Sequence, residues 1–249
     1  MKTSTKLLLL AVIILFGTTA AYDFALRENY LMYYYNKPFR EYTKLEFKDF
    51  DTIEIVASNV LNTEIIRSDT FDVRLHNWLS GAKITQKGKR LIINCETEKY
   101  NYQDGNSKPA LLIKCPALKE VKTDARIFLN GRQQILKSIL PSDVTGGKVV
   151  IRGFKQDKFS LVMNNASTVY LKGNSFKFLY ANIGIHVSSR SSINIDYSNS
   201  IESADIDLQN NSVMSLNNIY IKNFKYKLSD STQVSLNGIS LRLLSNKNK

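Results

Sequence analysis

The sequence predicts an all-β fold: a single-stranded, right-handed parallel β-helix (solenoid) with coils of about 20 residues, preceded by an N-terminal hydrophobic helix. Three observations carry that expectation. Short alternating apolar strands recur at a near-constant offset. Asn and Asp fall at the same place after successive strands. The composition favours Ile, Val, Tyr, Phe, Ser and Asn, residues of pleated surfaces and tight turns, with only 4 prolines and 11 glycines in 249 residues.

In chain order, Lys2 and Lys6 precede the apolar run Leu7–Phe16 and the small residues Gly17–Ala21. A charged flank, an apolar stretch and small residues before Tyr22 define residues 1–22 as a signal peptide or an N-terminal membrane anchor. In either case the positive flank places the body outside the cytoplasm. Residues 23–47 contain Leu31-Met32-Tyr33-Tyr34-Tyr35 and Phe39-Arg40-Glu41-Tyr42, an aromatic and charged segment read as a membrane-proximal stalk or a cap.

Residues 48–243 form the expected β-solenoid. In its first half Ile53-x-Ile55, Val73-x-Leu75, Leu91-x-Ile93 and Leu111-x-Ile113 fall 20, 18 and 20 apart. Stacking these strands brings Cys95 and Cys115 to one coil position, as a candidate disulfide or as two buried thiols. In the second half Val169-x-Leu171, Ile193-x-Ile195, Met214-x-Leu216 and Val234-x-Leu236 are spaced 24, 21 and 20. A second series runs Ile183-x-Ile185-x-Val187, Ala204-x-Ile206-x-Leu208, Phe224-x-Tyr226-x-Leu228. A third, less regular, holds Phe176-x-Phe178, Ile219-x-Ile221 and Ile239-x-Leu241. Periods of this size belong to stacked repeats, and alternation turns one face of each strand inward.

Asp196, Asn217 and Asn237 follow corresponding strands and form a turn ladder, since Asn and Asp accept left-handed turn geometry. Outward positions of the second series align Gly184, Asp205 and Lys225, then His186, Asp207 and Lys227. Asp205–Lys225 and Asp207–Lys227 are therefore expected cross-coil ion pairs, each worth a few tenths of a kcal/mol (~0.3) at an exposed site. Residues 244–249 are a basic polar tail.

The formal charge is +12. Basic residues are spread along the chain without a helix-turn-helix, RNP or basic-helix pattern, so no nucleic-acid partner is expected. Two histidines, His76 and His186, and the absence of HExxH, CxxC and His-x-His provide no metal centre. His76 is read as an outward or corner residue. No P-loop, G-x-G-x-x-G or G-x-S-x-G occurs, and no cofactor is expected. Parallel β-helices do host lyases and glycoside hydrolases, which work with paired carboxylates. Here Asp205, Asp207, Lys225 and Lys227 have a sufficient explanation as charge pairing on a flat sheet. Asn165-Ala166-Ser167 and Asn210-Asn211-Ser212 match the glycosylation pattern, although Asn-rich corners generate it by chance.

Phe50-Asp51-Thr52-Ile53-Glu54-Ile55, Phe71-Asp72-Val73-Arg74-Leu75 and Lys87-Gly88-Lys89-Arg90-Leu91-Ile92-Ile93 resemble the head GIN domain family. These are exported Bacteroidetes-type proteins to which an auto-transporter adhesin role is ascribed. The resemblance covers roughly Lys48 to Leu243. It departs at Lys89-Arg90, which stand between Gly88 and Leu91, and in the few glycines of the later corners. It implies a β-helix and an adhesive role, and no residue-level site.

The function expected is that of a non-catalytic cell-envelope β-solenoid, adhesin-like, binding a surface, glycan or protein. Tyr170, Tyr180, Tyr197 and Tyr220 are candidates for stacking on sugars. The alternatives are a membrane-anchored envelope scaffold or regulator, and a polysaccharide-acting β-helix enzyme (lyase or hydrolase). The membrane is a partner if residues 1–22 stay uncleaved. Location on the periplasmic side of the inner membrane, in the periplasm or at the cell surface stays open, as does oligomeric state.

Overall fold

The computed structural model describes residues 3–30, 39–79, 81–97, 108–129, 131–135, 147–186 and 190–245. The chain divides into two compact units, Met1–Thr43 and Lys44–Lys249.

The first unit holds α1 (Thr3–Tyr30), 28 residues long. At 1.5 Å per residue it extends about 42 Å, more than a bilayer's hydrocarbon core of about 30 Å. Its segment Thr3–Glu28 is long and apolar enough to cross a membrane, and none of its apolar window is buried. Thr18 and Thr19 do not break the helix, because their hydroxyls donate back to the carbonyls of Ile14 and Leu15 at 2.9 Å each. The helix runs on past Ala21 and Asp23, beyond the boundary expected at residue 22.

From Tyr42, at the boundary between the units, the chain is built almost wholly of strands. They are β1 (Tyr42–Leu45), β2 (Thr52–Ile55), β3 (Thr63–Arg67), β4 (Asp72–His76), β5 (Ala82–Lys87), β6 (Arg90–Thr97), β7 (Leu111–Cys115), β8 (Glu120–Thr123), β9 (Arg126–Leu129) and β10 (Arg132–Ile135). After these come β11 (Val149–Arg152), β12 (Lys155–Met163), β13 (Thr168–Lys172), β14 (Ser175–Ile183), β15 (Ser192–Asp196), β16 (Ser200–Leu208), β17 (Val213–Asn217), β18 (Asn223–Leu228) and β19 (Gln233–Asn237). A 3-10 turn (Gly238–Leu241) and α2 (Arg242–Ser245) follow.

These strands form two mixed sheets, one of nine strands in the order β1-β4-β7-β3-β11-β13-β15-β17-β19 and one of ten in the order β10-β9-β6-β2-β8-β12-β14-β16-β18, with β5 on β6. The expected single-stranded parallel β-helix is thereby corrected. β4 runs antiparallel to β7, β5 to β6 and β10 to β9. Strand order is not chain order either: β3 lies between β7 and β11, and β2 between β6 and β8. After β1, which lies at the edge of the nine-stranded sheet, the chain builds outward on both sides of β2 and β3.

The first-half stacking fails for local reasons. Ile53 and Ile55 pair with Leu91 and Ile93, whereas Val73 and Leu75 lie in the other sheet, antiparallel to Ile113 and Leu111. Lys87-Gly88-Lys89-Arg90 is a two-residue hairpin turn, with Gly88 at φ 58°, the left-handed conformation such turns require. A similar reversal joins β9 to β10, with Gly131 at φ 72°.

From β11 onward the pairing is parallel and each repeat gives one strand to each sheet. Val169, Ile193, Met214 and Val234 are register partners in succession, as are Leu171, Ile195, Leu216 and Leu236. The second series is shifted from expectation. Ala181, Ile206 and Tyr226 align, and Ile183 aligns with Leu208, so Ile185 lies beyond the end of β14. Of that series, Val187 falls outside the described residues. The third series also differs: Phe176 and Phe178 pair with Ile201 and Ser203, while Ile219–Ile221 is not a strand.

Alternation buries one face of most strands between the sheets. Ile53, Ile65, Leu91, Ile113, Leu161, Leu171, Ile183, Ile195, Ile206 and Leu216 are fully buried. Phe159 stacks on Phe176 with centroids 4.9 Å apart. The chain can turn from one sheet to the other because small polar residues line up inside the turns. Ser58, Ser167, Ser191 and Ser212 are all fully buried. The Ser58 and Ser167 hydroxyls lie 2.7 Å apart, and the Ser167 and Ser191 N–H groups donate to the next hydroxyl at 3.4 and 3.3 Å. Buried backbone groups that leave the ladder are satisfied in this way.

Candidate functional site

The second sheet bends where its alternation breaks. Gln156 pairs with Phe176 and Lys158 with Phe178, which sets Asp157 opposite Lys177 at a place where the ladder itself is interrupted. The next strand repeats this, pairing Phe176 with Ile201 and Phe178 with Ser203 around Lys177 and Glu202. Two consecutive residues thus face outward on each strand, and the bend throws Asp157, Lys177 and Glu202 into one column. Lys177 Nζ lies 2.9 Å from an Asp157 carboxylate oxygen. The hydrogen bond to Asp157, the charge of Asp157 and then that of Glu202 hold the Lys177 ammonium above its ordinary range.

A groove of about 560 Å³ runs along this bend. It is lined by Lys155, Gln156, Asp157, Lys177 and Glu202 of the second sheet and by Tyr197, Tyr220 and Ile239 of the turns. Gln156 is fixed, since its Nε2 donates to the Leu118 carbonyl at 2.6 Å and its Oε1 accepts the Leu118 N–H at 3.2 Å. Tyr197 sits on the turn between β15 and β16, where Asp196 Oδ1 accepts the Ser198 N–H at 3.0 Å and the Ser198 hydroxyl as well. Tyr197 is 74% exposed. Tyr220 projects between the buried Ile219 and Ile221 in a stretch where the strand has not yet begun.

Below the groove runs a second ladder. Asn174 Oδ1 accepts the Phe154 N–H at 3.1 Å and its Nδ2 donates to the Ile151 carbonyl at 2.9 Å. Asn199 Oδ1 accepts the Asn174 N–H at 3.0 Å, and its Nδ2 donates to the Leu171 carbonyl at 2.7 Å. In the last repeat Ser240 takes the place, its hydroxyl accepting the Ile219 N–H at 2.9 Å and donating to the Ile219 carbonyl at 2.8 Å. These groups fix the turns that carry Tyr197 and Tyr220.

The residues singled out from sequence are distributed over the fold. Tyr197 and Tyr220 meet at the groove. Tyr180 lies on the outer face of the second sheet, stacked against Phe178 at 6.4 Å. Tyr170 lies on the first sheet, with Lys172 Nζ 5.8 Å from its ring centre. Asp205 faces Lys225 and Asp207 faces Lys227 across β16 and β18, while Tyr180 and Asn182 occupy the places expected for Gly184 and His186. Among the described residues neither Asp closes an ion pair with its Lys; Asp207 Oδ2 accepts from Gln209 Nε2 at 2.8 Å. Asp196, Asn217 and Asn237 are register partners, and Asn237 Nδ2 donates to Asn217 Oδ1 at 3.0 Å.

Cys95 and Cys115 are free and buried. They lie on β6 and β7, in different sheets, which removes the shared position from which a disulfide was expected. Burial pushes the Cys95 thiol up and the Cys115 thiol up to about 12. His76 is buried rather than outward, packed on Trp78 with centroids 5.7 Å apart; His186 is exposed. Among the described residues no group of three His, Cys, Asp or Glu could hold a metal ion. Asn165 and Ser167 of the first glycosylation match are buried.

The charged wall of the groove was not anticipated. Its signal was present: Phe176-Lys177-Phe178-Leu179 and Ile201-Glu202-Ser203-Ala204 break strict alternation at equivalent places.

No protein-family model matches this chain, and neither does any curated protein. Among solved structures, a "putative adhesin" from Parabacteroides distasonis superimposes with a TM-score of 0.55 at 15% identity, over 78% of this chain and 73% of that one. A "putative adhesin" from Bacteroides fragilis gives 0.41 at 13% identity over 79% and 96% of the two chains. A "putative lipid binding protein" from Parabacteroides distasonis gives 0.30 at 14% identity over 80% and 94%. At such identities the first likeness speaks to fold alone, and the looser two carry no argument.

Proposed function

We propose that this is a non-catalytic protein of the cell envelope that binds a glycan through the groove between Tyr197 and Tyr220. One observation carries the reading: two exposed phenol rings from successive repeats line the same groove as the Asp157–Lys177 ion pair. Aromatic faces stack on the apolar faces of sugar rings, and charged side chains take their hydroxyls. Lys155 and Lys177 balance Asp157 and Glu202, which favours neutral saccharides over polyuronates. The adhesin description of the Parabacteroides distasonis structure agrees with a surface-binding role.

Calorimetric titration of the full-length chain in detergent with a panel of neutral and acidic oligosaccharides tests this. Binding of a neutral saccharide, weakened tenfold or more by Tyr197→Ala with Tyr220→Ala, is the expected result. Affinity unchanged by the double substitution would overturn it. Release of unsaturated sugars would point to a lyase instead.

A second reading, a membrane-anchored scaffold or regulator, is favoured by the length and apolar character of α1. The mass of the mature protein separates retention of this segment from cleavage after Ala21.

A further inference from the structure

We infer that the ligand of the groove is an extended glycan chain that continues onto a second binding platform, Phe178 and Tyr180 on the outer face of β14; the inference rests on glycan binding at the groove. β14 supplies both places. Its Ser175, Phe176 and Lys177 line the groove, and Lys177, Phe178 and Tyr180 face solvent in succession along the strand. At about 3.3 Å per residue, Tyr180 lies about 10 Å beyond Lys177. Phe178 is 41% exposed and Tyr180 45%, with ring centroids 6.4 Å apart and planes 18° from parallel.

The fold does not call for rings there. At the register places of Phe178 and Tyr180, β12 carries Lys158 and Ser160, β16 carries Ser203 and Asp205, and β18 carries Asn223 and Lys225. All six are polar, as alternation with a solvated outer side predicts. Strand pairing and core filling would therefore proceed equally well with polar residues in β14. Leaving two large aromatic side chains half in water forgoes their burial, and an exposed apolar patch bordering a groove marks a binding surface. Ser160 and Ser203, which flank the rings, are too short to roof them.

The border of the platform selects the occupant. Aromatic rings edged by hydroxyls and charges match a chain of sugars, whose units combine an apolar face with a rim of hydroxyls. Ser203 Oγ accepts from Asn223 Nδ2 at 3.1 Å and keeps its own proton to donate. The Asp205 carboxylate, opposite Tyr180, accepts hydroxyls. Lys158 beside Phe178 and Asp205 beside Tyr180 bring one charge of each sign, so the platform extends the groove's preference for neutral saccharides. A protein partner packed on the rings would strip water from both charges, whereas a glycan replaces that water with hydroxyls.

The test is calorimetry on the full-length chain, in a detergent without a sugar headgroup, with malto-, cello- and N-acetylchito-oligosaccharides of two to six units. One series should bind, its hexasaccharide about thirtyfold more tightly than its disaccharide, beyond the roughly fivefold that additional registers alone supply. Phe178→Ala with Tyr180→Ala should cut the gain to about fivefold and leave disaccharide affinity within about twofold of wild type. Phe178→Ser with Tyr180→Asp, which installs the residues of β16 at these places, should do the same, and thermal unfolding shows that each variant folds. Tyr197→Ala with Tyr220→Ala should weaken both lengths. A gain of no more than about fivefold in wild type, or an undiminished gain in both platform variants, would overturn the inference and leave the groove intact as a binding site. Wild-type affinity in the Tyr197 and Tyr220 variant would overturn the groove and the continuous chain together, as would absence of binding by all three series.

Discussion

Replacing Asn199 by Ala tests whether the buried amide ladder, rather than strand pairing alone, holds the turns under the groove. Asn199 is 7% exposed. Its Oδ1 accepts from the N–H and the Nδ2 of Asn174 at 3.0 Å each, and its Nδ2 donates to the Leu171 carbonyl at 2.7 Å and the Asp196 carbonyl at 3.1 Å. Ala removes these four bonds and a fifth, from Nδ2 to Asp196 Oδ1 at 3.2 Å. It leaves the Asn174 N–H and the Leu171 carbonyl buried without these partners, while Asn174 Nδ2 keeps its bond to Ile151. The orphaned Asn174 N–H at about 1–2 kcal/mol and the lost bonds to the Leu171 and Asp196 carbonyls at about 0.5–1 kcal/mol each give a loss of about 3 kcal/mol. For a chain of this size that corresponds to a fall in Tm of about 6–12 °C. Urea denaturation followed by circular dichroism measures it, and an unchanged m-value shows that the unfolded state is not what moved. A loss below about 0.5 kcal/mol would refute the assignment.

Three further outcomes follow from particular residues. Gly184→Ala should destabilise by about 2 kcal/mol, because Gly184 has φ 74° and an added Cβ would meet the Gln209 carbonyl oxygen at 2.5 Å; a stability within 0.5 kcal/mol of wild type (~0.5) would contradict the packing. Phe159→Ala removes a 1% exposed ring stacked on Phe176 and should cost about 3–5 kcal/mol in chemical denaturation. With the Cys115 thiol pushed up to about 12 in the folded state, the unfolded thiol loses its proton first as pH rises. Its contribution is therefore constant below about pH 8 and falls by up to about 1.4 kcal/mol per pH unit between 9 and 12. Wild type should lose stability relative to Cys115→Ala over that window, and parallel pH profiles would show that the thiol is not buried.

The second half of the fold was legible because its contacts are local. Val169, Ile193, Met214 and Val234 stack as their spacing predicts, and a regular repeat needs only neighbouring strands to agree. The slip in the second series arose where extra residues after Ile183 lengthen one connection, so that equal spacing of apolar positions ceased to mean equal register. In the first half, apolar alternation at offsets of 18 and 20 residues could not distinguish parallel stacking from a hairpin. The distinction was carried by turn chemistry, at Gly88 and at Gly131, each at a reversal between paired antiparallel strands. Half of the groove was visible as exposed Tyr. Its charged wall depended on the shared bend at Asp157, Lys177 and Glu202, which becomes a column only once the strands are aligned.

The placement of β3 beside β11, and of β2 beside β8, bears on how the protein assembles. Most later strands meet partners some twenty residues away, whereas Ile65 must wait for Ile151 and Ile53 for Val121. Closing those long loops is entropically slow relative to zipping nearby strands. During synthesis or secretion, the early strands will therefore have emerged well before the segments that cover them. The central seam, rather than either end, is where a nascent chain is exposed to wrong pairing and where a holding chaperone would have the most surface to grip.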